Sequence, residues 1–308
     1  MKILFIDTVH PILQTKLKEL HHHCDTAFTK NKAEIETIIH NYHGIIIRSR
    51  FNLDKRFIDK ATNLKFIARA GSGLENIDVA YANRKKIKCY NAGEGNRQAV
   101  AEHAIGMLLS LLNNLNNCDP QVRKGRWIRE QNRGIEICGK TIGIIGYGNN
   151  GSAFSQVLEG FGVNILAYDK YLKNYRYESN MQTIYKEADI ISLHIPLTKE
   201  TTYLVNDDFI NKFEKDFFLI NTSRGKCVNT KDLVSGLKSG KLKGTCLDVL
   251  EYEKNSFEKL NKEGITTEME YLLNSKNTIL SPHIAGWTIE SHTKIATILL
   301  QKIIADFP

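Results

Sequence analysis

The 308-residue chain contains no apolar run near the roughly 20 residues that a membrane-spanning helix needs. Its first seven residues, Met-Lys-Ile-Leu-Phe-Ile-Asp, are too few and too acidic at their end for a signal peptide, and they predict a strand. The six cysteines are scattered and include no C-x-x-C pair, which favours reduced thiols over disulfides. These absences predict a cytoplasmic protein that does not contact a membrane.

A metal site is not expected either. His21, His22 and His23 stand beside Cys24, but side chains at adjacent positions point in different directions. This histidine run therefore predicts a loop between a helix and a strand rather than a set of metal ligands.

The chain is basic, with 42 Lys and Arg against 34 Asp and Glu, for a formal net charge of +8. A basic surface attracts anionic substrates and cofactors. The lysines are dispersed, and the sequence has neither an arginine-rich arm nor a known nucleic-acid motif. We therefore expect a small anionic substrate as partner, and no nucleic acid.

Strand and helix patterns alternate along the chain, which predicts parallel sheets covered by helices on both faces. Helices are predicted at 11–20 and 32–41, and a long helix with Asn96 as N-cap precedes a polar connection at 113–139. The final segment, 288–307, has helical periodicity and is expected to return to the first domain. We predict strands at 2–7, 24–28, 44–48, 65–70, 88–91, 141–145, 164–168, 189–194, 217–221, 245–248 and 278–281.

The most informative stretch is a buried-strand pattern, 141–145, that runs into the glycines Gly146, Gly148 and Gly151 in a G-x-G-x-x-G spacing. A second apolar run then ends at Asp169. Gly146 permits a tight turn, Gly148 lets the backbone approach a pyrophosphate, and Gly151 lets the following helix lie close to its strand. Because Asp169 would accept the ribose hydroxyls and repel a 2′-phosphate, the unit predicts NAD rather than NADP as cofactor.

Three chemically distinct side chains follow the later strands. Arg224, Glu253 and His283 each come shortly after a predicted strand, where parallel sheets place their ligands. Arginine grips a carboxylate in a bidentate manner, histidine exchanges a proton near neutral pH, and a carboxylate orients the imidazole. The set suits oxidation of a hydroxyl group beside a carboxylate, although each residue alone is compatible with a surface role.

These stretches resemble the D-2-hydroxyacid dehydrogenase family, most closely its short phosphoglycerate-type members. The matching segments occur in family order and span nearly the whole chain, at 69–78, 100–103, 146–169, 193–198, 220–225, 247–253 and 281–286. The resemblance implies a two-domain fold of Rossmann-like and flavodoxin-like parallel sheets. The substrate domain would be discontinuous, at 1–95 and 285–308, and the NAD-binding domain would occupy 96–284.

The resemblance also implies roles for single residues. Arg224 corresponds to the arginine that binds the substrate carboxylate, Glu253 to the acid that orients the histidine, and His283 to the acid/base. Glu253 is preferred to Glu251 because it stands five residues after Asp248. The residues placed around the cofactor are Ser72, Gly146, Gly148, Asn149, Asn150, Gly151, Asp169, Ile195, Thr222 and Asp248. Those placed around the substrate are Arg48, Arg69, Ala70, Gly71, Gly73 and Arg129.

The family pattern therefore predicts an NAD-dependent oxidoreductase that acts on 3-phospho-D-glycerate, and a homodimer formed through the long helix and the polar connection after it. Two alternatives stay open: a glyoxylate or hydroxypyruvate reductase, and a non-catalytic NAD-sensing interaction protein on the same scaffold. The chain departs from the family at Lys254, where proline is usual, and in its longer interval between Glu253 and His283. It also ends soon after the last helix, so no regulatory domain is expected.

Overall fold

The computed structural model describes residues 1–253 and 266–308, which form two compact units. Unit 1 comprises Met1–Asn96 and Trp287–Pro308, and unit 2 comprises Arg97–Glu253 and residues 266–286. Each unit is built on one sheet whose strands all pair in parallel. The predicted fold class, two parallel-sheet α/β domains, is confirmed.

Unit 1 contains a five-stranded sheet in the order β2-β1-β3-β4-β5. Its strands are β1 (Lys2–Phe5), β2 (His23–Thr26), β3 (Gly44–Ile47), β4 (Phe66–Arg69) and β5 (Lys88–Tyr90). Its helices are α1 (Pro11–Glu19), α2 (Lys32–Ile38), α3 (Lys55–Lys60), α4 (Val79–Arg84) and α12 (Ile289–Asp306). Strand β3 is buried along its whole length, as expected for a central strand covered by helices on both faces.

The last helix, α12, belongs to the core of unit 1. Thr288 caps its N-terminus in a reciprocal capping box with Ser291. Ala296, Leu299 and Ile303 on one face of α12 are buried and pack in the same cluster as Leu13 and Leu17 of α1. Each fully buried leucine or isoleucine stabilises the fold by about 1.5–3 kcal/mol, so this face holds the end of the chain on the first sheet.

Unit 2 contains a six-stranded sheet in the order β11-β10-β9-β8-β6-β7. Its strands are β6 (Thr141–Ile145), β7 (Asn164–Tyr168), β8 (Ile190–Leu193), β9 (Phe217–Asn221), β10 (Leu242–Leu247) and β11 (Thr278–Leu280). Its helices are α5 (Arg97–Leu112), α6 (Leu115–Arg123), α7 (Asn149–Leu158), α8 (Met181–Glu187), α9 (Asp207–Asn211), α10 (Thr230–Ser239) and α11 (Thr267–Asn274). After β7 the chain crosses to the other side of β6, so the strand order reverses between β6 and β8, and such a switch point is where open α/β sheets bind ligands.

The structure differs from the sequence prediction in two places. The polar connection at 113–139 contains the additional helix α6, which buries none of its residues and has Pro120 in its interior, a residue that argues against a helix when the sequence is considered alone. Strand β10 begins at Leu242 rather than at Thr245, because Gly244 and a shift of register beside it interrupt the strand pattern. A surface loop with a short helix is predicted at 254–271. Residues 254–265 lie outside the described residues, and α11 begins at Thr267.

The histidine and cysteine side chains serve the fold in simple ways. His22 Nδ1 lies 3.0 Å from the amino terminus, and His23 begins β2 and pairs with Asp25 at 3.0 Å. All six cysteines are free thiols. Among residues 1–253 and 266–308, no group of three or more His, Cys, Asp and Glu side chains could hold a metal ion. No helix in this part of the chain has the length and apolar character that crossing a bilayer requires.

Candidate active site

The glycine turn after β6 has the geometry of a phosphate-binding turn. Gly146 has φ +91°, and a Cβ atom there would lie 2.4 Å from the carbonyl oxygen of His194. A Cβ on Gly151 would lie 2.0 Å from the carbonyl oxygen of Gly146, so both positions require glycine. A Cβ on Gly148 would meet nothing within 4 Å. Gly148 is the N-cap of α7, has no side chain to cap the helix, and therefore leaves N–H groups of the first turn to an external anion.

Asp169 follows β7 and is held by the backbone around it. Its Oδ2 accepts a hydrogen bond from Tyr147 N at 2.8 Å, and its Oδ1 accepts from Tyr171 N and Leu172 N at 2.9 and 3.0 Å. Partial burial by itself raises the pKa of Asp169, but these three backbone donors outweigh it and bring the pKa below its ordinary value. The carboxylate is therefore charged at neutral pH, as an acceptor for ribose hydroxyls has to be.

Two other residues predicted to bind the cofactor have buried polar atoms with unused hydrogen-bonding capacity. Within the described part of the chain, Asn150 Oδ1 in the first turn of α7 and Thr222 Oγ1 after β9 have no hydrogen-bond partner. A buried polar atom without a partner costs about 1–3 kcal/mol. The two atoms and the uncapped start of α7 fit a polar, phosphate-bearing ligand at the carboxyl edge of this sheet.

The remaining predicted cofactor residues lie in both units. Asn149 is exposed at the start of α7, and Ile195 packs against Gly146. In unit 1, Ser72 donates its hydroxyl hydrogen to Asn96 Oδ1 at 2.7 Å, directly before the start of α5.

Arg224 stands on a turn that Asn221 organises. Asn221 is fully buried at the end of β9, where its Oδ1 accepts from both Ser223 N and Ser223 Oγ, and its Nδ2 donates to Arg224 O at 3.1 Å. The Arg224 guanidinium donates to Ser223 O at 2.7 Å. A Cβ on the next residue, Gly225, would lie 2.0 Å from Leu250 O, so the turn presses closely on the loop after β10.

Asp248 follows β10 and holds the loop after β11. Its side chain is 1% exposed. Oδ1 accepts from Ser281 Oγ at 2.6 Å and from Ile284 N at 2.9 Å, and Oδ2 accepts from Ala285 N at 2.9 Å. The backbone carbonyl of Asp248 also accepts from His283 N at 2.8 Å. The prediction places Asp248 at the cofactor, and the structure adds that it fixes the loop that carries His283.

His283 and Glu253 form a close pair in unit 2. His283 Nδ1 lies 2.7 Å from Glu253 Oε2, and their side chains are 24% and 15% exposed. The other carboxylate oxygen of Glu253 accepts a short hydrogen bond from Leu250 N. His283 has φ +56°, a left-handed conformation that costs energy in a non-glycine residue and is held here by the hydrogen bonds that His283 N, Ile284 N and Ala285 N donate to Asp248.

Glu251 has a different position. Its Oε1 accepts from Tyr203 Oη at 2.7 Å, and its Oε2 accepts from Thr230 N, at the start of α10, at 3.0 Å. Glu251 therefore joins Tyr203 to the start of α10, whereas Glu253 contacts the imidazole.

The predicted substrate residues of unit 1 surround the carboxyl ends of its strands. Arg48 directly follows β3, and Arg69 is the last residue of β4. Arg69 Nε donates to Arg48 O at 3.2 Å. The Arg48 guanidinium lies 4.2 Å from the centre of the Trp287 ring, a stacked cation–π contact. A cavity of about 250 Å³ opens beside Arg48, Ser49 and Arg50, where the strand order of unit 1 reverses between β1 and β3.

The glycine-rich segment after β4 is also in unit 1, at Ala70, Gly71 and Gly73. Gly71 has φ +153°, and a Cβ there would collide with the Arg69 guanidinium. In unit 2, Arg129 is exposed on the connection between α6 and β6.

The sequence analysis assigned no role to two residues that support the site, His103 and Ser281. His103 on α5 lies 2.9 Å from Ser281 Oγ through its Nε2, and Ser281 in turn donates to Asp248. His103 is the last residue of the matching segment 100–103, so the family pattern carried a signal, but its partner could be found only in three dimensions.

Comparison with known proteins identifies the family. The model of the D-isomer specific 2-hydroxyacid dehydrogenase NAD-binding domain matches residues 105–285. The chain belongs to this family. Its second unit thus corresponds to the family's NAD-binding domain, and NAD is the cofactor, in agreement with the prediction.

Individual relatives differ in the substrate that their names state. The chain is 31% identical over 308 residues to a D-3-phosphoglycerate dehydrogenase of Synechocystis sp., covering 98% of this chain and 53% of that protein. It is 34% identical over 278 residues to a hydroxypyruvate reductase of Thermotoga maritima, covering 89% and 88%. The crystal structure of a D-lactate dehydrogenase from Lactobacillus jensenii superposes with a TM-score of 0.81 at 28% identity, covering 99% and 96%. The chain thus spans about half of the phosphoglycerate dehydrogenase and most of the other two.

The lowered pKa of Asp169 predicts an acid-sensitive contribution to stability. A carboxylate with a lower pKa in the folded state stabilises fully above its unfolded pKa of about 3.9, and loses this contribution as the pH falls through the folded pKa. Urea unfolding of the wild type and Asp169→Asn without nucleotide should therefore show the largest difference in unfolding free energy near pH 7 and a much smaller one near pH 3. A difference that does not change with pH would contradict this account.

Proposed function

We propose that this chain is an NAD-dependent dehydrogenase that oxidises the C2 hydroxyl of 3-phospho-D-glycerate to 3-phosphohydroxypyruvate, a reaction at the head of serine synthesis. The observation that carries the proposal is the 2.7 Å contact between His283 Nδ1 and Glu253 at the carboxyl edge of the second sheet. Arg224 and the glycine turn follow strands of the same edge. A proton acceptor, a carboxylate-binding cation and a nucleotide site thus share one edge of one sheet.

Each residue would have a defined task. His283 accepts the hydroxyl proton at Nε2, because Nδ1 faces Glu253. The Glu253 carboxylate fixes the tautomer and stabilises the imidazolium that forms. Arg224 binds the substrate carboxylate and polarises the C2 oxygen. NAD, when bound, supplies the hydride acceptor.

The phosphate of the substrate would be bound in unit 1. Arg48 is a permanent cation that the Trp287 ring holds in place, and the cavity beside it is lined by Ser49 and Arg50 as well. Arginine matches the geometry of phosphate oxygens. Similarity to a D-3-phosphoglycerate dehydrogenase along nearly the whole chain supports this substrate.

A hydroxypyruvate or glyoxylate reductase is the second candidate. The observation in its favour is similarity, since the chain is 34% identical to the Thermotoga maritima hydroxypyruvate reductase over 278 residues and 31% identical to the Synechocystis sp. phosphoglycerate dehydrogenase over 308 residues.

Removal of the proton acceptor should abolish most of the activity. His283→Gln is expected to lower kcat by about 10²–10⁴-fold, the usual contribution of a general base, while the Kd for NAD changes little. The absorbance of the reduced cofactor measures kcat, and calorimetric titration measures the Kd for NAD. Turnover at the wild-type rate would exclude His283 as the base.

The two neighbouring glutamates provide a matched control for that experiment. Glu253→Gln removes the charge beside His283 and should lower kcat, whereas Glu251→Gln changes a contact to Tyr203 and Thr230 and should leave kcat close to that of the wild type.

The substrate is decided by a panel of steady-state assays. We expect a higher kcat/KM for 3-phosphoglycerate oxidation than for D-glycerate oxidation, and Arg48→Ala should lower the former by about tenfold or more, as for the loss of one charge-assisted hydrogen bond. The same variant should change glyoxylate reduction little, because glyoxylate has no phosphate. Efficient turnover of glyoxylate or hydroxypyruvate by the wild type, with none of 3-phosphoglycerate, would favour the second candidate.

We also propose a homodimer that forms through the long helix α5 and the polar connection after it, which contains α6. Helix α6 buries none of its residues, and Leu115, Val122 and Trp127 are 52%, 51% and 79% exposed. A second copy is the partner that would cover these apolar side chains. Sedimentation at micromolar concentration should give twice the mass of one chain. Trp127→Glu should shift the species toward the monomer, whereas Ile289→Glu, at an 86% exposed position of unit 1, should not.

A further inference from the structure

One side chain at the carboxyl edge of unit 2 has no role in the proposed reaction. His194 directly follows β8, and β8 and β6 flank the point where the strand order reverses. Its backbone N–H donates to Ile145 O at 2.8 Å, and its carbonyl oxygen lies 2.4 Å from the position of a Cβ on Gly146. His194 is therefore packed against the glycine turn.

The imidazole of His194 is fixed in one orientation. Nε2 lies 2.9 Å from Ser192 Oγ, and the ring centre lies 5.2 Å from that of Phe154 on α7. Burial lowers the pKa of His194 to about 3, so the ring is neutral at physiological pH. A neutral imidazole has one nitrogen that donates and one that accepts, and Ser192 occupies only Nε2.

The other nitrogen, Nδ1, is buried and has no hydrogen-bond partner within residues 1–253 and 266–308. It shares this property with Asn150 Oδ1 and Thr222 Oγ1. These three atoms follow β6, β8 and β9, which are adjacent in the sheet, so they lie along one continuous edge. One ligand that extends along the edge would give partners to all three, whereas His22 Nε2 and Thr278 Oγ1, the other two such atoms in the described residues, lie outside this edge.

We propose that His194 Nδ1 is a further hydrogen-bonding contact for bound NAD at the switch point between β6 and β8. This inference rests on the proposed function, because it requires that the chain binds NAD. His194 would act as a positioning residue: Ser192 and Phe154 orient the ring, and the ring presents one neutral polar atom to the cofactor.

Two isosteric variants separate the two ring nitrogens. In His194→Asn the amide group occupies the position of Nδ1, and in His194→Gln it reaches the position of Nε2. If Nδ1 contacts NAD, His194→Asn should bind NAD with a Kd close to that of the wild type, and His194→Gln should bind about tenfold more weakly, as for the loss of one hydrogen bond. Calorimetric titration of NAD into each purified protein gives these constants without any catalytic turnover.

The outcome that overturns the inference is equal NAD affinity of the two variants, whether both match the wild type or both are weakened. Ser192→Ala serves as the structural control. It removes the Nε2 contact that orients the ring but keeps Nδ1, so we expect a lower unfolding temperature and a smaller loss of NAD affinity than in His194→Gln. Failure of the wild type itself to bind NAD would instead refute the proposed function.

The wild-type protein provides an independent measurement should a variant not fold. In protein labelled with ¹⁵N-histidine, the Nδ1 resonance of His194 should shift on addition of NAD, while the neutral state of the ring should persist between pH 5 and pH 8. The resonance is assigned by its absence from the spectrum of His194→Asn or, if that protein does not fold, through its couplings to the backbone. An Nδ1 resonance that is unchanged at saturating NAD would overturn the inference.

Discussion

The buried carboxylate of Asp248 is the constraint on which the candidate active site depends. It accepts two backbone N–H groups and one hydroxyl from the loop after β11, and its own carbonyl oxygen receives His283 N. A buried charge needs several hydrogen bonds to be tolerated, and the loop supplies them. These hydrogen bonds also hold the loop in a conformation in which His283 has a positive φ of +56°. The contacts of Asp248 with this loop thus hold His283 beside Glu253.

The sequence predictions are most accurate for the elements that are most deeply buried. Strands β6, β7 and β9 begin and end where their apolar runs do, and β6 and β9 are buried at every position. A strand that is buried on both faces consists mostly of apolar residues, so the apolar run in the sequence marks its first and last residues. Helix α6 buries nothing, and Pro120 in its interior together with its mostly polar composition argued against a helix. The support of Asp248 for the His283 loop also could not be predicted, since it joins residues more than 30 positions apart.

The candidate site shows the same division between local and long-range information. The G-x-G-x-x-G spacing is local. The structure shows steric reasons for glycine at Gly146 and Gly151, the first and third glycines of the motif, as the sequence analysis expected. The choice of Glu253 over Glu251 came from family resemblance, and the structure indeed places Glu253 beside His283. His194 escaped notice because its distinguishing property is an unpaired nitrogen, and hydrogen-bond satisfaction is a property of the folded chain alone.

The residues of the proposed chemistry are distributed over the two units. The residues proposed for proton transfer and for the nucleotide lie mainly in unit 2, the unit that the family model matches. Arg48 and the cavity beside it lie in unit 1. If Arg48 binds the substrate phosphate as proposed, a change in the charge or size of this cavity would alter which substituent on C2 is accepted and would leave the Glu253–His283 pair unchanged. Under the proposed function, the residues that would distinguish one substrate from another therefore lie in unit 1 and do not include the Glu253–His283 pair.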